Sequence, residues 1–142
     1  MVIDYSQAYI EGILDEVKTI AVVGASANPD RDSHKVMAAL IHHGYQIFPI
    51  NPHEEGNLIL DQLCYADLDA VSGKIDMVDV FRANDAVVGV TKEAIEIGAK
   101  VLWTQLDIIN EEASELAKES GLKAISLNGE NVEYSPLLYF HL

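Results

Sequence analysis

Apolar residues follow two rhythms along the chain. Short continuous runs such as TIAVV and MVDVF alternate with longer stretches in which apolar residues return every three or four positions. The runs predict strands at Thr19 to Val23, Gln46 to Ile50, Ile75 to Phe81, Lys100 to Thr104 and Lys123 to Leu127. The periodic stretches predict helices from Ser6 to Val17, with Ser6 as its cap, and over Ser33 to His43, Asp85 to Ile97 and Asn110 to Ser120. DQLCYADLDAV is expected to form a short edge strand and a turn of helix.

Three of the helices run into a glycine followed at once by a strand: HHGYQIFPI, EIGAKVLWT and ESGLKAISL. Glycine accepts the left-handed backbone that ends a helix, and the repeated junction marks βαβ units. Strands that read as unbroken apolar runs belong to a parallel sheet covered on both faces. The predicted fold is therefore α/β: a three-layer, doubly wound, mostly parallel sheet of about five strands, Rossmann-like. No linker or composition break divides the 142 residues. One domain over 1–142 is expected, with an N-terminal helix and an apolar C-terminal tail, SPLLYFHL, suited to docking on the domain or on a second copy in a homodimer.

Composition narrows the functional classes. The apolar stretches are strand-sized, short of the ~20 residues of a membrane span, and no basic segment leads an apolar one at the N-terminus, so a cytoplasmic protein is expected. The single cysteine, Cys64, fits a reducing compartment and is expected to pack as a small hydrophobe. Nine Lys plus Arg against 23 Asp plus Glu give a net charge of −14, which argues against nucleic acid and anionic membranes as partners. The sign is uneven, however. From Arg31 to His53 the one acid, Asp32, faces Arg31, Lys35 and four of the five histidines.

Ligands of open α/β sheets lie beyond the carboxyl ends of the strands, here GASANPDRDS, NPHEE, FRAND and TQLDI. Gly24 permits a sharp exit from the first strand, and Ala25 and Ser26 keep the loop walls low. Asp32 or Ser33 is expected to cap the next helix, whose free N–H groups favour an anion by roughly 0.3 to 1 kcal/mol. Arg31 and Lys35 supply countercharge. The combination suits a phosphate; a plain strand-to-helix turn is the alternative on this loop alone. The dinucleotide fingerprint is missing, because Gly24 is not followed by glycines in the G-x-G-x-x-G spacing and the second strand ends in Asn51-Pro52-His53 instead of an acid. No Walker loop is present either.

Other constellations read as structural. No G-x-S-x-G elbow appears, and adjacent His42 and His43 diverge by about 100° on a helix, more suited to its C-terminus than to a metal. Asp76 and Asp79 fall on opposite faces of a strand, and Asp79 is expected to be a hydrogen-bonded structural acid. NEEASELAKES reads as a solvated helix surface.

The segments IAVVGASANPDRDSHKVMAALIHHGYQIFPINP, IDMVDVFR and EAIEIGAKVLWTQLDIINEEASELAKESGLK resemble the stand-alone CoA-binding domain family, over about Thr19 to Ile125. That family is similar to the CoA-binding domain of succinyl-CoA synthetase alpha subunits. The resemblance implies that Gly24, Ala25 and Ser26 approach the CoA pyrophosphate, with Arg31, Ser33 and Lys35 around the phosphates. Asn51 and Pro52 match the family's NP at the adenosine end. Val80, Phe81 and Arg82 match its VFR beside the adenine and pantetheine arm, and Trp103 and Gln105 match the WxQ on the far side of the cleft. Three positions depart from the pattern. His53 stands where the family has lysine, and because an ordinary imidazole is mostly neutral at pH 7, its phosphate contact should strengthen as pH falls. Asp107 replaces a glycine, and Asn128-Gly129 replaces a pair ending in cysteine.

The resulting expectation is non-catalytic binding of coenzyme A or an acyl-CoA, as carrier, sensor or regulator, and not an enzyme. The rivals are an NAD(P)-binding redox protein and an interaction module that has lost its ligand.

Overall fold

The computed structural model describes residues 7–105 and 110–126. Ser6, Asp107, Leu127, Asn128, Gly129 and the SPLLYFHL tail lie outside the described residues. The sheet is built from β1 (Thr19–Val23), β2 (Gln46–Ile50), β5 (Met77–Val80), β6 (Val101–Thr104) and β7 (Lys123–Ser126), all parallel, in the order β2-β1-β5-β6-β7. The fold is α/β and Rossmann-like. Helices α1 (Gln7–Glu16) and α2 (Asp32–His42) contribute to the core on one face of the sheet, and α3 (Val87–Glu96) and α4 (Glu111–Ser120) to the other. No helix among the described residues is long and apolar enough to cross a membrane.

Alternation along each strand feeds the two cores. Ile20 and Val22 of β1 pack with Met37 and Leu40 of α2, while Ala21 and Val23 pack with Val90 of α3. Burying both faces explains why the strands read as continuous apolar runs. The predicted helix ends are met by positive φ at Gly44, Gly98 and Gly121, and at Gly121 the left-handed residue returns its N–H to Lys118 of α4. Asn110 caps α4 by accepting from the Ala113 amide.

The segment around DQLCYADLDAV differs from expectation. Its strand, β4 (Gln62–Leu63), pairs with β3 (Leu58–Ile59) in a separate antiparallel hairpin instead of lengthening the sheet edge. Leu60 and Asp61 form the two-residue turn with φ of 52° and 64°, a conformation usually announced by Asn-Gly, so the hairpin carried no turn signal. The main sheet is touched by one bridge, Ile50 to Tyr65, and the Tyr65 amide donates to the Pro49 carbonyl at 2.9 Å. Leu68–Ala70 supplies the expected helical turn. The helix expected from Asp85 begins as a tighter turn, Asn84–Ala86, and becomes α-helical at Val87.

Candidate functional site

The strand order reverses between β1 and β5, and the crevice beyond their carboxyl ends is the place where such sheets hold ligands. The two exits touch. Gly24 has φ 89°, and a Cβ built there would collide with the Phe81 carbonyl oxygen, so a side chain is excluded by conformation and by space together. The amides of Gly24 and Ala25 both donate to the Ile50 carbonyl, at 3.0 and 3.2 Å. Those two N–H groups therefore hold the β1 exit against β2, and what Gly24 offers a ligand is close approach to the backbone.

Beyond them the loop folds on itself in short hydrogen-bonded turns. Ser26 Oγ accepts from the Asn28 amide (3.1 Å), Asn28 Oδ1 from Asp30 (3.0 Å), and the Asn28 carbonyl from Arg31 (3.0 Å). His34 Nδ1 donates to the Ser26 carbonyl at 2.9 Å, tying the loop to the first turn of α2. A carbonyl can only accept, so the His34 proton sits on Nδ1.

The expected cap by Asp32 or Ser33 is not made. Both residues lie inside α2, and the capping position falls to Arg31, whose side chain has no acceptor and forms no capping bond. The helix therefore opens without a side-chain cap: the His34 and Lys35 amides donate to the Arg31 carbonyl, at 3.1 and 3.2 Å, and the Asp32 and Ser33 amides have no intrahelical partner. It opens onto a cavity of about 500 Å³ lined by Gly24, Ala25, Ser26, Asp30, Arg31, Asp32, Ser33, Asn51 and Phe81.

A second cavity of about 360 Å³ shares Gly24 and Asn51 with the first and continues over Pro52, His53, Arg82, Asp67 and Glu93, with Val23, Ile50 and Val90 as its apolar wall. Asn51 joins the two. Its Nδ2 donates to the Ala25 carbonyl (2.8 Å), and its Oδ1 accepts from the His53 amide (2.9 Å), capping the Pro52–Glu54 turn. Glu93 has a raised pKa: partial burial is the largest cause, Asp67, Glu96 and Asp69 add to it, and Arg82 opposes it.

Ten of the thirteen site residues expected from sequence thus line one cavity or the other. Val80 turns into the core at 1% exposure, Gln105 donates to Asp79 Oδ1 at 2.8 Å, and Lys35 lies further along α2, so these three line neither cavity. Trp103 is fully buried in the core beside α1 and α2, away from the cleft wall that the resemblance implied. Asp79 is the structural acid expected, fully buried, and burial pushes its carboxyl well above the usual range against the Gln105 hydrogen bond. His43 Nδ1 meets the Ala39 carbonyl at the end of α2, as its position suggested. Sequence reasoning passed over His34, Asp67 and Glu93. His34 lay within the basic stretch, whereas the two acids are remote from the glycine loop in sequence and only the fold brings them to it.

A parallel sheet covered by helices on both faces, with its strand order reversing at a glycine exit, defines a Rossmann-like α/β domain. Residues 18–133 match the CoA binding domain family, and the chain belongs to it. It is 42% identical over 120 residues to an uncharacterized protein, YneT, of Bacillus subtilis (strain 168), covering 84% of this chain and 87% of that one. A hypothetical protein from Pyrococcus horikoshii OT3 superposes with a TM-score of 0.83 at 38% identity, over 94% of this chain and 93% of the other. A dinucleotide-forming acetyl-coenzyme A synthetase of Ca. Korarchaeum cryptofilum superposes with a TM-score of 0.67 at 26% identity, over 78% of this chain and 25% of that longer one.

Proposed function

We propose that this protein binds coenzyme A or an acyl-CoA without transforming it, as a carrier, sensor or regulator. The observation that carries the reading is the uncapped start of α2, whose first turn lines the cavity beside Gly24 and Ser33. A diphosphate there takes the place of the missing cap, with Arg31 as countercharge and Lys35 one turn behind. Membership of the CoA binding domain family supports the ligand class. The non-catalytic part rests on how the polar groups are spent: Ser26 Oγ serves an Asn28 turn, His34 holds a backbone carbonyl and not a hydroxyl, and Asn51 spans two loops.

Calorimetric titration of the ligand-stripped protein with CoA and with NADH tests this. Saturable binding with CoA the tighter ligand is expected, and Lys35→Ala should weaken it several-fold while leaving the far-UV spectrum unchanged. NADH binding more tightly would make the protein a redox module, and silence from both ligands on folded protein would make it an interaction module.

A further inference from the structure

The second cavity adjoins the first through Gly24 and Asn51, so a ligand with its diphosphate before α2 places its nucleoside there without leaving the crevice. The charged wall it meets is not that of a phosphate site. Asp67 and Glu93 stand with a single guanidinium, Arg82, and the imidazole of His53. Resting on the CoA-binding reading, we propose that this cavity selects against a phosphate on the ribose, so that the preferred ligand is a CoA-type molecule with a free sugar diol, such as 3′-dephospho-CoA, over CoA itself.

One carboxylate is held in place. Asp67 Oδ1 accepts from the Ala70 amide at 2.9 Å, fixing that acid at the start of the Leu68–Ala70 turn, and Glu93, on α3, lines the same cavity. Glu93 already feels Asp67, Asp69 and Glu96 as like charges, with Arg82 as the opposing one. A ribose phosphate would add a near-dianion to that group, whereas hydroxyls of an unsubstituted ribose donate hydrogen bonds to carboxylates. The apolar wall of Val23, Ile50 and Val90 leaves the rest of the nucleoside a surface indifferent to the change.

Titration of the full chain with CoA and with 3′-dephospho-CoA, side by side at physiological salt, decides the matter. The dephospho form is expected to bind about five- to tenfold more tightly, a ratio suited to partly exposed charges. Combining Glu93→Gln with Asp67→Asn, where asparagine can still cap the turn, should bring the two ligands to within about twofold. Equal binding, or tighter CoA, in the unaltered protein overturns the selectivity and leaves the CoA reading standing. A preference that survives both substitutions removes it from Asp67 and Glu93 and overturns the mechanism. Binding of neither ligand overturns the reading and the inference together.

Discussion

Asp76 and Asp79, three residues apart, show how position sets the behaviour of one side-chain type. At Asp76, burial alone would raise the pKa, but hydrogen bonds from the Lys18 and Thr19 amides, at 2.9 and 3.2 Å, together with Lys74 and Lys100 outweigh it and lower it. Asp79 has no such support: Gln105 serves Oδ1, and Oδ2 has no hydrogen-bond partner among the described residues. Its folded-state pKa is raised, so the stability tied to its protonated form is complete below the ordinary carboxylate pKa and is lost as pH rises through the folded value. Asp79→Asn keeps an acceptor for Gln105 and removes the ionisation. The variant should melt a few degrees higher than the unaltered protein at pH 7, with the gap closing toward pH 4. Thermal melts across that range check it; a variant that is less stable throughout would show that the carboxyl is needed for a bond and not merely tolerated.

At the scale of elements, the site depends on how closely the exits of β1 and β5 approach. Gly24 lies against the Phe81 carbonyl, and its amide is bonded to Ile50 at the end of β2, so one residue gathers three strand ends. Gly24→Ala would have to force a left-handed alanine into backbone atoms, at a cost of at least about 2 kcal/mol. Urea unfolding should show that loss, and an unshifted midpoint would mean that the exits separate at little cost. The glycine was legible in sequence because it ended an apolar run. Its service to Phe81 was not, since residue 81 follows a different strand, distant in sequence. The cap of α2 was misplaced for a related reason: Asp32 and Ser33 are good capping types, but the turns through Asn28 carry the chain into the helix one residue earlier, at Arg31.

For the whole molecule, a ligand that bridges both cavities stabilises the folded state by mass action. A CoA-type ligand at about a hundred times its dissociation constant adds roughly 2.7 kcal/mol, or about 5–10 °C in Tm. Scanning calorimetry should show this rise against an equal concentration of inorganic phosphate. An identical transition with and without the ligand would remove the crevice from the function. The −14 net charge makes the test demanding, because an anionic ligand must approach an anionic surface and find its favourable field only near α2.

The order of strands and helices, the two-sided burial and the glycine loop followed the residues themselves, because apolar period and left-handed glycine are local properties of the chain. The β1 and β2 limits were met residue for residue, and most of the other elements to within two residues. Three things waited for the tertiary structure: the hairpin turned by Leu60 and Asp61, the uncapped start of α2, and the meeting of Asp67, Arg82 and Glu93 at one wall. Each depends on residues distant in sequence, or on a backbone conformation that the local side chains do not prefer. Only the packed sheet brings those groups together or supplies the contacts that hold such a conformation.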